Sequence, residues 1–184
     1  MRRSNLNFSL ILLFLMGAFA IPFEGYAQKY RSNRYSRLNN DNYISLSAFK
    51  TPLPYSYGGK IGYHHSIFEN TYLHGEGIFE RGRPFQLKYN YLGADIGLSY
   101  APFDLGRSIY LYFKGMGSAG YNMITEMKSN NAFSIGAKAG AELDYYIDDT
   151  IAIGGFYHQG LYAKNSFGTQ RNEYGLIMKI SLGW

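Results

Sequence analysis

The chain contains no cysteine. This absence excludes disulfides, thiol catalysis and cysteine-based metal sites, and it also excludes lipid attachment at an N-terminal cysteine. Beyond residue 27, no apolar run approaches the roughly 20 residues that a membrane helix needs. What the sequence lacks therefore argues against a lipoprotein and, after its N-terminal region, against a helical membrane protein.

The first 27 residues are predicted to be a signal peptide. Arg2 and Arg3 supply positive charge, and residues 8–20 (FSLILLFLMGAFA) form a short apolar core. Small residues precede a cleavage site after Ala27, while a second site inside the apolar core and an uncleaved anchor helix are the alternatives. An exported chain without a second apolar helix is periplasmic, secreted or an outer-membrane barrel.

Residues 28–41 (QKYRSNRYSRLNND) are polar and basic, and we predict a flexible N-terminal segment on the periplasmic side. A docking segment for a partner or an anionic surface is the alternative. Without residues 1–27 the chain keeps sixteen basic and twelve acidic residues, a formal charge of +4. The charges alternate with tyrosine and glycine instead of forming a basic face, so no direct contact with nucleic acid is expected.

Residues 132–149 (AFSIGAKAGAELDYYIDD) alternate with a period of two, which places two different sets of side chains on opposite faces of a strand. The apolar set comprises Phe133, Ile135, Ala137, Ala139, Ala141, Leu143 and Tyr145. The polar set comprises Ser134, Gly136, Lys138, Gly140, Glu142 and Asp144. This pattern resembles a transmembrane barrel strand, apolar toward lipid and polar toward the lumen.

Eight such strands are predicted, at about 42–50, 57–68, 72–81, 89–101, 108–122, 132–149, 151–162 and 171–184. The connections after the second, fourth and sixth strands are short, and the others tend to be longer. The short ones are predicted at Glu69–Thr71, Pro102–Arg107 and Asp148–Thr150, the last a tight turn. An even strand count with short periplasmic turns is typical of outer-membrane barrels. The predicted fold is therefore an all-β, eight-stranded antiparallel up-and-down transmembrane β-barrel of the OmpA/OmpX kind over residues 42–184, with both termini periplasmic.

A soluble eight-stranded barrel such as a lipocalin would show the same alternation inside out. Composition favours the membrane form, because glycine (22) and tyrosine (19) are abundant and tyrosine suits interfacial belts. Charged side chains on the polar face would be costly in a dry core but could pair in a polar lumen. The predicted lumen network comprises Lys60, Glu76, Asp95, Lys114, Lys138, Glu142 and Lys179. A barrel of this size has an interior that side chains fill, so no open pore is expected.

Three histidines are candidates for metal binding or catalysis. His64 and His74 could meet across a hairpin near Glu76, but lumen hydrogen bonding is favoured over a metal site. His158 with Ser166 is a conceivable pair near the outer rim, as in lipid-modifying barrels, although no motif supports it. No cofactor, metal or catalytic residue is predicted.

The C-terminal Trp184 closes an alternating apolar set, which resembles the aromatic signal read by the barrel-assembly machinery. The runs GMGSAGYN (115–122), FSIGAKAGAELDYYIDD (133–149) and GLIMKISLGW (175–184) resemble the TraO proteins of conjugative transposons in Bacteroidota. The resemblance covers roughly the last 90 residues and transfers no catalytic residues.

The resemblance implies a structural outer-membrane component of a conjugative DNA-transfer apparatus. The implied partners are outer-membrane lipid, the barrel-assembly machinery and other conjugation proteins. A general small surface or adhesion barrel of the OmpX kind is the alternative, and a lipid-modifying enzyme is the least favoured hypothesis.

Overall fold

The computed structural model describes residues 42–52, 55–68, 70–83, 87–105, 108–124, 132–164 and 169–182. They form one closed barrel in which each strand pairs antiparallel with the next and the last strand pairs with the first. The strands are β1 (Tyr43–Thr51), β2 (Ser56–Phe68), β3 (Thr71–Gly82), β4 (Tyr89–Asp104), β5 (Ile109–Ile124), β6 (Ala132–Tyr146), β7 (Ile151–Lys164) and β8 (Gln170–Ser181). The predicted eight-stranded barrel is confirmed.

The predicted signal peptide, the basic segment 28–41 and Trp184 lie outside the described residues. No helix in the described part of the chain is long and apolar enough to cross a membrane.

Most strands differ from the prediction by one to three residues at one or both ends. The stretch 132–149 was predicted to end in a tight turn at Asp148–Thr150, and β6 ends at Tyr146, so the turn begins one residue before its predicted start. The side chain of Asp148 accepts hydrogen bonds from the backbone N–H groups of Thr150 (2.7 Å) and Ile151 (2.8 Å). This local side-chain bonding competes with the β-ladder and starts the turn early. The fourth strand continues past its predicted end to Asp104, through an irregularity in its pairing with β5.

The two ends of the barrel differ in their connections. The turn end holds connections 69–70, 105–108 and 147–150, and the loop end holds 52–55, 83–88, 125–131 and 165–169. The loop-end connections are longer, as predicted, except for 52–55, which is as short as two of the turns. Asn70 adopts a left-handed backbone conformation (φ 60°) in the tightest turn, which asparagine tolerates well. The N–H of Leu182 donates to the carbonyl of Asn42 (2.9 Å), so both ends of the barrel sequence lie at the turn end.

The apolar faces of the strands point outward. Ile61, Ile96 and Leu176 are 61%, 65% and 73% exposed, whereas Lys138 and Glu142 are buried. An apolar surface of this extent is not found on water-soluble monomers, and it fits contact with lipid. The lipocalin-like alternative, with the apolar face inside, is excluded.

Interior glycines make room for large rings. Gly93 and Gly120 are cross-strand partners on β4 and β5, and the ring of Tyr91 covers both. A Cβ atom at Gly120 would lie 2.5 Å from ring atoms of Tyr91, too close for any real contact. The interior of an eight-stranded barrel is only just wide enough for its side chains, so the glycines are required where a ring lies against the wall.

Gly120→Val is expected to destabilise the barrel by about 1–3 kcal/mol, because the added side chain overlaps Tyr91. Gly117→Val is the matched control on the same strand, since a Cβ there faces outward with its nearest atom 3.8 Å away. Urea unfolding in lipid vesicles gives the free energy of unfolding of both variants. Adding Tyr91→Ala to Gly120→Val should relieve the overlap and make the two substitutions non-additive. Equal stability of the Gly117 and Gly120 variants would contradict the packing described here.

Candidate functional site

The charged interior of the barrel is the candidate site. The structure places all seven predicted lumen residues inside, each 5% exposed or less. They are Lys60 (β2), Glu76 (β3), Asp95 (β4), Lys114 (β5), Lys138 and Glu142 (β6) and Lys179 (β8). Their side chains meet because inward-facing positions on different strands converge on one narrow axis.

One half of the network lies toward the turn end. The Nζ atom of Lys114 lies 2.7 Å from Glu142 Oε2 and 3.2 Å from Glu76 Oε1. Lys179 Nζ lies 2.6 Å from Asp144 Oδ2 and also pairs with Glu142. Glu142 thus receives two lysines from different strands, and burial of its charge is compensated from both sides.

The other half is centred on Glu173. Its Oε1 lies 2.8 Å from Lys138 Nζ and 3.3 Å from Arg171 Nε, and its Oε2 lies 2.7 Å from Lys60 Nζ. Lys138 Nζ is also 2.8 Å from Asp95 Oδ2. One carboxylate therefore joins cations from β2, β6 and β8.

Glu76 links the two halves. Its Oε2 lies 3.7 Å from Lys60 Nζ, while its Oε1 contacts Lys114. The ion pairs form one continuous network whose described members are nearly balanced in charge. The carboxylates are Glu76, Glu80, Asp95, Glu142, Asp144 and Glu173, and the cations are Lys60, Lys114, Lys138, Arg171 and Lys179.

The predicted network omitted some of its most connected members. Arg171 pairs with Glu80 as well as Glu173, and its guanidinium lies over the ring of Tyr91, 4.9 Å from the centroid. Arg171 and Glu173 lie at odd-numbered positions like Lys179 on the same strand. The alternation along the last strand, extended to its first residues, would therefore have assigned Arg171 and Glu173 to the lumen face.

The buried histidines take part in packing. His64 and His74 are cross-strand partners with stacked rings, 5.3 Å between centroids. His64 Nε2 lies 2.9 Å from Ser45 Oγ, as the hydrogen-bonding interpretation expects. Neither ring nitrogen of His74 has a hydrogen-bond partner in the described structure. No group of three or more potential ligands among the described residues is placed to hold a metal ion.

The predicted position of His158 near the outer rim is wrong. His158 lies in the middle of β7, is 2% exposed and packs against Phe156 with 4.7 Å between ring centroids. The alternation of β7 turns this side chain into the barrel, away from any lipid. Its proposed partner, Ser166, lies outside the described residues.

Five tyrosines close the turn end of the interior. Tyr43 packs edge-on against Tyr72 (5.7 Å between centroids) and Tyr146 (6.5 Å), and Tyr72 packs edge-on against Tyr112 (6.1 Å). The hydroxyls of Tyr112 and Tyr146 are 2.8 Å apart, which completes a ring of contacts, and Tyr110 packs on Tyr146. Tyrosine therefore serves the interior as well as the outward belts that composition predicted.

Comparisons with solved structures identify the fold. The chain is similar to Neisserial surface protein A (TM-score 0.62, 12% identity, 77% of this chain and 97% of that one). It is also similar to the N-terminal β-barrel domain of Pseudomonas aeruginosa OprF (0.55, 17%, 77% and 98%) and to Ail, the attachment invasion locus protein of Yersinia pestis (0.53, 10%, 78% and 99%). No protein-family model matches the chain, and no curated protein matches it significantly. The fold is that of small outer-membrane β-barrels.

Lys138→Met is expected to cost about 3–5 kcal/mol of unfolding free energy, because buried Asp95 loses its nearest cation and Glu173 loses one of its three. Asp149→Asn, at an exposed position in the turn after β6, is the control and should change stability by less than about 0.5 kcal/mol. Urea unfolding in phosphatidylcholine vesicles gives the unfolding free energies of the two variants and the wild-type protein for comparison.

The double variant Lys138→Met with Glu173→Gln removes both partners of a 2.8 Å ion pair. It should lose less stability than the sum of its two single variants. Additive losses would mean that the two residues do not interact.

Proposed function

We propose that the protein is a small outer-membrane surface barrel with a structural or adhesive role. The observation that carries this proposal is the combination of an apolar exterior with a filled, ion-paired interior. Side chains such as Ile96 and Leu176 require a lipid environment, and the outer membrane is where barrels of this fold reside. The turn end would face the periplasm and the loop end the cell surface.

The packed interior supports a scaffold instead of a transport path. Ion pairs occupy the middle of the barrel, and tyrosines pack together at its turn end. His158, the histidine considered for lipid chemistry, faces inward and is not accessible to lipid. The surfaces available for function are therefore the lipid-facing wall and the loop end. Two proteins of similar fold, Neisserial surface protein A and Ail, the attachment invasion locus protein of Yersinia pestis, agree with such a role.

A more specific role in conjugation is a second proposal, based on the resemblance of residues 115–122, 133–149 and 175–184 to TraO proteins. Its test is genetic. Genes for conjugative transfer should flank this one, and deleting it should lower the mating frequency of the element. Flanking genes unrelated to transfer, with mating unaffected, would leave the general surface role.

Orientation in the membrane can be tested by cysteine labelling, because the chain has no cysteine of its own and wild-type protein gives no background. Thr169→Cys lies at the loop end and Asp149→Cys at the turn end, both at exposed positions. A membrane-impermeant maleimide should label the Thr169 variant in intact cells. It should label the Asp149 variant only after the outer membrane is permeabilised.

The reverse labelling pattern would overturn the proposed orientation. Recovery of the protein in the soluble fraction, without heat-modifiable migration on gels, would overturn the membrane location itself.

A further inference from the structure

Charges on the outside of the barrel are segregated by end. Lys50, Arg81, Arg83 and Lys88 are exposed at the loop end, whereas Asp148 and Asp149 are exposed at the turn end. Every other acidic side chain whose exposure the structure describes is buried in the interior. We call Lys50, Arg81 and Arg83 the basic rim.

The basic rim is compact. Tyr57 is the cross-strand partner of both Lys50 on β1 and Arg81 on β3. Neighbouring strands lie about 4.8 Å apart, so the two cations flank the tyrosine about 10 Å from each other. Arg83 follows Arg81 on the same face, about 7 Å further along. Its backbone N–H donates to the carbonyl of Tyr55 (3.3 Å).

The basic rim lies directly beyond the apolar wall. Two residues closer to the turn end, the outward positions are Ala48 on β1 and Phe79 on β3, the latter 53% exposed. Tyr57, between the cations, is 66% exposed. An exposed tyrosine at the edge of an apolar band is typical of the membrane–water interface, the level at which headgroup phosphates lie.

We propose that the basic rim is a binding site for the phosphate groups of membrane lipids in the leaflet at the loop end. Two guanidinium groups and one ammonium form charge-assisted hydrogen bonds with phosphate oxygens, and arginine does so in a bidentate manner. None of the three cations forms an ion pair within the described residues. This inference rests on the proposed membrane barrel and adds a ligand class to its loop end.

Spin-labelled lipids provide the test. Full-length protein is folded into dioleoylphosphatidylcholine vesicles with traces of spin-labelled phosphatidic acid or spin-labelled phosphatidylcholine. Electron spin resonance then gives the relative association of the two probes with the barrel. Wild-type protein should favour phosphatidic acid at least about threefold, since each cation near an anionic surface contributes appreciably. The triple variant Lys50→Gln, Arg81→Gln, Arg83→Gln should lose most of this preference.

A matched triple variant controls for substitution at the loop end. Gln159, Gln170 and Asn172 face outward on β7 and β8 without charge, and their replacement by alanine should leave the preference intact. High salt should abolish the preference of the wild-type protein. A folded wild-type barrel without preference, or a glutamine variant that retains it, would overturn the inference.

A third outcome concerns a soluble ligand. If the glutamine variant loses binding of inositol hexakisphosphate but keeps the lipid preference, the rim binds soluble polyanions and the lipid assignment is wrong. Failure of the wild-type protein to fold in any vesicle, judged by heat-modifiable migration, would instead count against the membrane barrel.

Discussion

Neutralisation of buried charge is the constraint on which the barrel depends. Charged side chains from six of the eight strands enter an interior that is too narrow for much water, so each needs a partner from another strand. Glu173 illustrates this, because it contacts Lys60 from β2, Lys138 from β6 and Arg171 from its own strand. The ion pair between Glu173 on β8 and Lys60 on β2 crosses the seam where β8 pairs with β1. The ion pairs of Glu173 are therefore complete only when the barrel is closed, which couples closure to the stability of the network.

The same constraint shapes the outside. Most of the described charged side chains on the strands form ion pairs with one another in the interior. The outer wall between the two ends is therefore apolar. The exterior charges that remain are placed at the ends, with Lys50 and Arg81 at one and Asp148 and Asp149 at the other. Such a separation favours one orientation in an asymmetric membrane. It also makes the loop end the natural place for anionic ligands, so that recognition in this protein would be a property of its rim and loops.

Close packing of aromatic rings at both ends of the ion-pair network supports the proposal that the barrel is a solid scaffold. Aromatic rings fill the space that interior glycines leave open, as Tyr91 does over Gly93 and Gly120. At the turn end, Tyr112 and Tyr146 join hydroxyls beneath the ion pairs, and Lys179 lies over the ring of Tyr112 at 4.2 Å. The aromatic packing and the ion-pair network are thus in direct contact.

Alternation along the chain was enough to predict eight strands and to assign residues such as Lys138 and Glu142 to one face, because a period of two is a local property of a strand. It could not show which cation meets which carboxylate. That depends on the register between neighbouring strands, which sets the residues that lie opposite each other. Tyr43 on β1 lies opposite His64 on β2, and His64 lies opposite His74 on β3. Nor could it place the end of β4, which continues to Asp104 through an irregularity in its pairing with β5. The sequence by itself determined the two faces and their chemistry; only tertiary closure decided the partners, since residues distant along the chain become neighbours solely through the geometry of the closed sheet.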